Sequence, residues 1–76
     1  MSNTEKTLHK ILRLKRLKEK TGISGSSIYN KLNPRSQYFD ATFPRPIRLG
    51  SNAVGWIEEE VDAWIAARAQ SRLVAQ

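Results

Sequence analysis

Thr21-Gly22-Ile23-Ser24-Gly25-Ser26-Ser27-Ile28-Tyr29-Asn30-Lys31-Leu32-Asn33-Pro34 is the stretch that decides the fold. Ser24 can cap a helix by accepting a backbone N–H two or three residues on, and Ile23 just before it can pack on Ile28 as a hydrophobic staple. Ser27 stands where a capping box would carry Glu or Gln. Ile28 and Leu32, spaced four apart, give this helix its buried face. Asn33-Pro34 stops it, because the residue before a proline is pushed out of the α region. Upstream, Leu14, Leu17 and Thr21 share one face of a preceding short helix whose other sides carry Lys15, Arg16, Lys18 and Glu19, and Gly22 ends that helix as a left-handed residue. Two short helices joined by about three residues, with glycine marking the turn, read as a helix-turn-helix.

Downstream, Asn33 to Pro46 is a 14-residue connection with no clear period, a length that in a compact domain points to a functional or mobile loop. Ile47-Arg48-Leu49 then alternates as a strand does, Gly50-Ser51-Asn52 is turn chemistry, and Ala53-Val54-Gly55-Trp56 returns as the second strand of a hairpin. Ile57, Val61, Trp64, Ile65 and Arg68 fall on one stripe of a last helix, with Glu58, Glu59 and Glu60 in its first turn and Arg68 and Arg72 toward its end, both favourable to the helix dipole. Trp56 and Trp64 sit in apolar patterns and belong to the core. The expected architecture is mainly α with a small β-hairpin: a winged helix-turn-helix over residues 11–70, built of a helix-turn-helix, a two-stranded wing and a C-terminal helix. A flexible basic N-terminal arm over 1–10 precedes it, and a C-terminal tail over 71–76, fraying from Leu73, follows.

A chain of 76 residues has room for one domain and little room for a deep cleft. Without cysteine it has neither a disulfide staple nor a thiolate metal ligand. It contains no run of the roughly 18–20 apolar residues needed to span a bilayer, and it reads as soluble, intracellular and free of membrane. The net charge of +6 is unevenly spread: eleven Lys or Arg against three acidic residues up to position 52, two against four beyond it. A chain segregated in this way has one face suited to a polyanion, since neutralising phosphates releases condensed counterions. Nucleic acid is the first candidate and an anionic membrane the second; in the helix-turn-helix reading the partner is double-stranded DNA.

If Ile28 and Leu32 point inward, steps of 100° per residue put Ser26 and Asn30 nearly opposite, Asn33 beside them, and Ser27 and Tyr29 on the flanks. These five are the candidates for base contact in a major groove. Asn pairs bidentately with adenine, hydroxyls bond bases or phosphates, and Tyr reaches a phosphate or stacks on a sugar. Lys15, Arg16, Lys18, Lys31 and Arg35 are the candidates for phosphates, which set register without reading sequence. Arg48, with Ser51 and Asn52 at the hairpin tip, is placed for a neighbouring minor groove or its backbone.

Leu12-Arg13-Leu14-Lys15, Thr21-Gly22-Ile23-Ser24, Ser27-Ile28-Tyr29, Phe43-Pro44-Arg45-Pro46, Leu49-Gly50, Val54-Gly55-Trp56 and Val61-Asp62-Ala63-Trp64-Ile65 follow one another in an order that resembles the AlpA family of small prophage-associated transcriptional regulators. The resemblance runs from about Ile11 to Arg68. It implies a winged helix-turn-helix related to excisionases and to MerR-family DNA-binding domains, and a cytoplasmic, nucleoid-associated protein of bacterial or phage origin that regulates prophage or integrative-element genes without a cofactor. It would place recognition at Ser26, Ser27, Tyr29 and Asn30 and the wing at Arg48, Ser51 and Asn52. The sequence departs from the family at Gly25, where a basic residue is frequent, and in the long connection after Asn33, where Arg35, Gln37 and Tyr38 offer a substitute contact.

Catalysis is not expected. His9 stands alone in the arm with no ligand-spaced partners, so no metal site is expected, and Glu58 to Asp62 spread around a helix start without converging. No nucleophile–base set or phosphate-cradling glycine loop can be assembled. Three other readings compete with a sequence-specific regulator: an excisionase-type factor that bends DNA to direct recombination, a protein–protein adaptor using the Trp-bearing last helix, and a peripheral peptide on anionic membrane built on Leu8, Ile11, Leu12 and Leu14. With one recognition helix per chain, a homodimer, a cooperative oligomer on DNA, or an integrase or transcription partner is the expected company.

Overall fold

The computed structural model describes residues 10–75, with side-chain surroundings through Arg72. The elements are β1 (Ile11–Leu12), α1 (Leu14–Thr21), α2 (Gly25–Leu32), β2 (Ile47–Gly50), β3 (Ala53–Ile57) and α3 (Glu58–Ala75). The expected arm lies outside the described residues except for Lys10, whose carbonyl accepts the Glu58 amide at 2.9 Å.

Both helix ends expected around the turn are present. Gly22 has φ 72° and ψ 15°, and its N–H donates to the Lys18 carbonyl at 2.7 Å. Ser24 caps α2, its Oγ accepting the Ser27 amide at 3.2 Å. Thr21 adds a lock between them: its hydroxyl donates to the Leu17 carbonyl at 2.8 Å and accepts the Ile23 amide at 3.2 Å.

Five segments each contribute one fully buried hydrophobic side chain: Leu17 from α1, Ile28 from α2, Phe43 from the long connection, Trp56 from β3 and Val61 from α3. Leu12, Leu14, Ile23, Leu32, Trp64 and Ile65 pack around them. The helix-turn-helix is fastened to α3 at its rim by Lys20, which meets Asp62 at 2.8 Å and Glu58 at 3.1 Å. Those two carboxylates, Asp62 foremost, hold the Lys20 ammonium above its ordinary pKa.

Three features differ from the sequence reading. The hairpin is not two-stranded alone. β1 pairs antiparallel with the other edge of β3, Ile11 opposite Ile57 and Leu12 opposite Trp56, so the sheet runs β1-β3-β2. Ile57 therefore closes β3 and does not belong to the last helix. That helix also continues through Ala75, across the segment expected as a tail, because Ala66, Ala67, Ala69, Gln70 and Arg72 are strong helix formers with no Gly or Pro to stop them.

The connection from Asn33 to Pro46 is structured by its own short polar side chains. Asn33 Oδ1 accepts the Arg35 amide at 3.0 Å, Ser36 Oγ the Tyr38 amide at 3.0 Å and Asp40 Oδ1 the Thr42 amide at 2.9 Å. The Asp40 amide donates back to the Lys31 carbonyl at 2.9 Å, tying the loop to the end of α2. Asp40 Oδ2 also accepts the Trp64 indole N–H at 3.3 Å.

These bonds, first the one donated by the Thr42 hydroxyl, hold the Asp40 carboxyl below its ordinary pKa of 3.8, with the Lys31 charge helping. A carboxylate whose pKa is depressed by folding stabilises the protein above its unfolded pKa, and that stability is lost as pH falls through the folded value. Urea midpoints should therefore drop on acidification below about pH 4. Asp40→Asn should flatten that drop, and an identical pH profile in the variant would exclude Asp40 as its source.

Candidate nucleic-acid interface

With Ile28 buried, the opposite side of α2 presents Ser26, Ser27, Tyr29 and Asn30 to solvent, followed by Asn33, all exposed. Tyr29 is 49% exposed, high for an aromatic in so small a domain. The capping cluster also sets the chemistry of the serines. The Ser24 hydroxyl donates to Ser27 Oγ at 3.1 Å, which leaves the Ser27 proton free to donate outward, while Ser26 Oγ lies 3.4 Å from Ser24 Oγ. The Asn30 side chain has no hydrogen-bond partner among the described residues, so both its carbonyl oxygen and its amide are available for a bidentate contact. Asn33 differs, since its Oδ1 already accepts the Arg35 amide and only its NH2 remains to donate.

On α1, Lys15, Arg16 and Lys18 are exposed. Lys15 and Lys18 have no ion-pair partner among the described residues, and Arg16 meets Glu19 at 3.5 Å with both side chains more than half exposed, a contact too solvated to hold it. Lys31 is placed elsewhere. It is half-buried, with its ammonium 5.7 Å from the centre of the Trp64 ring, turned toward α3 and the loop. Arg35 is exposed just past the end of α2.

In the hairpin Arg48 is exposed and its guanidinium donates to the Ser51 carbonyl at 3.3 Å, bracing the tip, where Ser51 and Asn52 are exposed. The sequence reading gave no role to Arg13. Its Nε donates to the Val54 carbonyl at 2.9 Å and joins the start of α1 to β3, a long-range bond that no local pattern announces. The structure thus brings Ser26, Ser27, Tyr29 and Asn30 onto one open helix face and keeps Lys15, Arg16 and Lys18 on the neighbouring helix. Lys31 is drawn into the α3 side. Among the described residues no group of three or more His, Cys, Asp or Glu is placed to hold a metal, and no helix is long and apolar enough to cross a membrane.

Residues 10–69 match the family described as "Prophage CP4-57 regulatory protein (AlpA)". The chain belongs to the AlpA family. One curated relative, the "DNA-binding transcriptional activator AlpA" of Escherichia coli (strain K12), is 49% identical over 59 residues, covering 78% of this chain and 84% of that protein. No solved structure matches. As an AlpA-family chain it is a regulatory protein and not an enzyme. The AlpA match begins at Lys10, where β1 is tied to α3, and ends at Ala69, so it encloses the helix-turn-helix, the sheet and the part of α3 that packs on the core.

Proposed function

We propose that this AlpA-family chain is a DNA-binding transcriptional regulator of prophage or integrative-element genes, acting in the cytoplasm on double-stranded DNA. In this reading α2 enters the major groove, Lys15, Arg16, Lys18 and Arg35 neutralise phosphates, and the β2–β3 hairpin lies alongside as a wing, with Arg48 toward the adjacent minor groove. The observation that carries it is the open face of α2: a helix capped at Ser24 and buried through Ile28 offers Ser26, Ser27, Tyr29 and Asn30 outward, beside a helix whose Lys15 and Lys18 are exposed. Membership of a regulatory family supports it, as does the name of the Escherichia coli relative.

The deciding experiment is selection of bound duplexes from a random library at two salt concentrations. Enrichment of a motif that persists at about 150 mM salt is the expected result. Uniform binding that salt abolishes would leave only a non-specific or DNA-bending role, and no binding would overturn the proposal.

Two variants separate base readout from phosphate anchoring. Asn30→Ala should reduce discrimination against mismatched sites by about 1–3 kcal/mol while sparing affinity for random DNA. Lys18→Ala should weaken binding to all sequences alike and lower the salt slope by about 0.9. Equal losses on specific and random duplexes for Asn30→Ala would remove it from the reading surface.

A further inference from the structure

Past Ile65 no described side chain of α3 belongs to the core cluster. The helix has 18 residues, about 27 Å, and the last of its side chains packed on the core are Trp64 and Ile65. Every side chain from Ala66 to Arg72 is exposed. Short helices in water are marginal on propensity alone, and most of their stability comes from covering one face.

Beside that face runs an open groove of about 550 Å³, bounded by α3 on one side and the Phe43–Arg45 segment on the other. Its floor is apolar, made by Phe43, Pro44, Ala63, Trp64 and Ala67. Phe43 packs edge-on against Trp64 in that floor, with ring centres 5.0 Å apart, and the alanines let a second helix approach closely.

The charges identify the occupant. At the start of α3 Glu58 and Asp62 are taken by Lys20, which leaves Glu60 as the acidic residue of α3 on the groove; Arg68, two turns on, lies 5.1 Å from the Trp64 ring centre and 4.0 Å from Asp40, with its side chain mostly exposed. Glu60 and Arg68 both border the groove. A second α3 laid antiparallel sets Glu60 of each helix toward Arg68 of the other, twice over, which is the self-complementarity a two-fold interface requires. A parallel pair would set like against like. Nucleic acid is a poor occupant, because the floor is apolar and Glu60 stands at the rim.

We propose that this groove is a homodimer interface, in which two α3 helices pair antiparallel over Trp64 and Ala67. The interface lies on α3 and the loop, apart from the open face of α2, and does not depend on how DNA is bound.

Sedimentation equilibrium of the full chain without DNA tests it, over about 1 µM to 1 mM. The expected result is a mass rising from one chain to two. Ala67→Glu places two like charges near the centre of the pair, at an exposed position where Glu is a good helix former. It should raise the dimer Kd more than tenfold with the helical circular dichroism unchanged. Glu60→Lys and Ser71→Glu should each weaken pairing alone, while an equimolar mixture regains it, since the new positive charge on one chain then faces the new negative charge on the other. A wild-type mass of one chain throughout, or a dimer indifferent to Ala67→Glu, would overturn the proposal and assign the groove to another partner. A mixture no tighter than its components would overturn the antiparallel arrangement.

Discussion

Phe43→Ala is expected to lower the free energy of unfolding by about 3–5 kcal/mol, the usual cost of truncating a buried aromatic. At about 0.05–0.15 kcal/mol per residue, a chain of this length has only about 4–11 kcal/mol in all, so the variant should lose a large share of its stability. Phe43 is 1% exposed and comes from a segment without regular secondary structure, yet it closes the core against Trp64 and carries the loop with it through the bond from its amide to the Asp40 carbonyl at 3.1 Å. Tryptophan fluorescence in urea reports the change directly. A loss below about 1 kcal/mol would mean that the core closes without it.

Gly55→Val should come next, at about 1–3 kcal/mol or more, for the opposite reason: an added side chain has nowhere to go. Gly55 lies on the central strand. A Cβ built there falls inside the contact distance of the Ile11 Cγ2 methyl, 3.0 Å from Leu49 Cδ1 and 3.2 Å from the Leu12 carbonyl. Ile11 and Leu49, from the two outer strands, meet over this glycine. Ile11→Ala introduced together with Gly55→Ala should recover part of the loss of Gly55→Ala alone, measured as a rise in Tm of the double variant over the single. Additive losses would place the strain elsewhere, in the Leu12 backbone or in Leu49.

The helix-turn-helix was legible because its signals are local. Gly22, Ser24, Ile28 and Leu32 each act within four residues of where they stand, through capping, a left-handed turn or helical spacing. The Gly50-Ser51-Asn52 turn announced the hairpin in the same way. What stayed hidden depended on distant partners. β1 is two residues long, too short for any period, and exists because Ile11 and Leu12 find Ile57 and Trp56 some 45 residues on. Ile57 fitted the helical spacing of Val61 and Ile65 as well as it fits a strand end, and only pairing with β1 decides between them.

The loop lies between these cases. Its turn formers, Asn33, Ser36 and Asp40, were visible as residue types, but the burial of Phe43 follows from the space between α2 and α3, which no local pattern describes. For the candidate site, helical angles placed Ser26, Ser27, Tyr29 and Asn30 on the exposed side of α2, and all four are exposed in the structure. The same angles could not know that Trp64 and Asp40 would draw Lys31 toward α3.

The tie between the Asp40 amide and the Lys31 carbonyl divides the long connection in two. In polymer terms the chain no longer closes one large ring. It closes a small one over the end of α2 and then a short tether through Phe43 to β2, and because closure entropy rises only slowly with length, lengthening the small ring costs little. Residues added near the exposed Gln37 would give up the Ser36–Tyr38 turn bond but enlarge that ring alone, whereas a single residue inserted between Asp40 and Phe43 would change the reach of the tether and pull the ring of Phe43 out of register with Trp64. A fluorophore attached to the exposed side chain at position 37 would therefore ride on the domain at little cost, whereas an inserted tag would first break the turn that Ser36 holds with Tyr38 and Phe39.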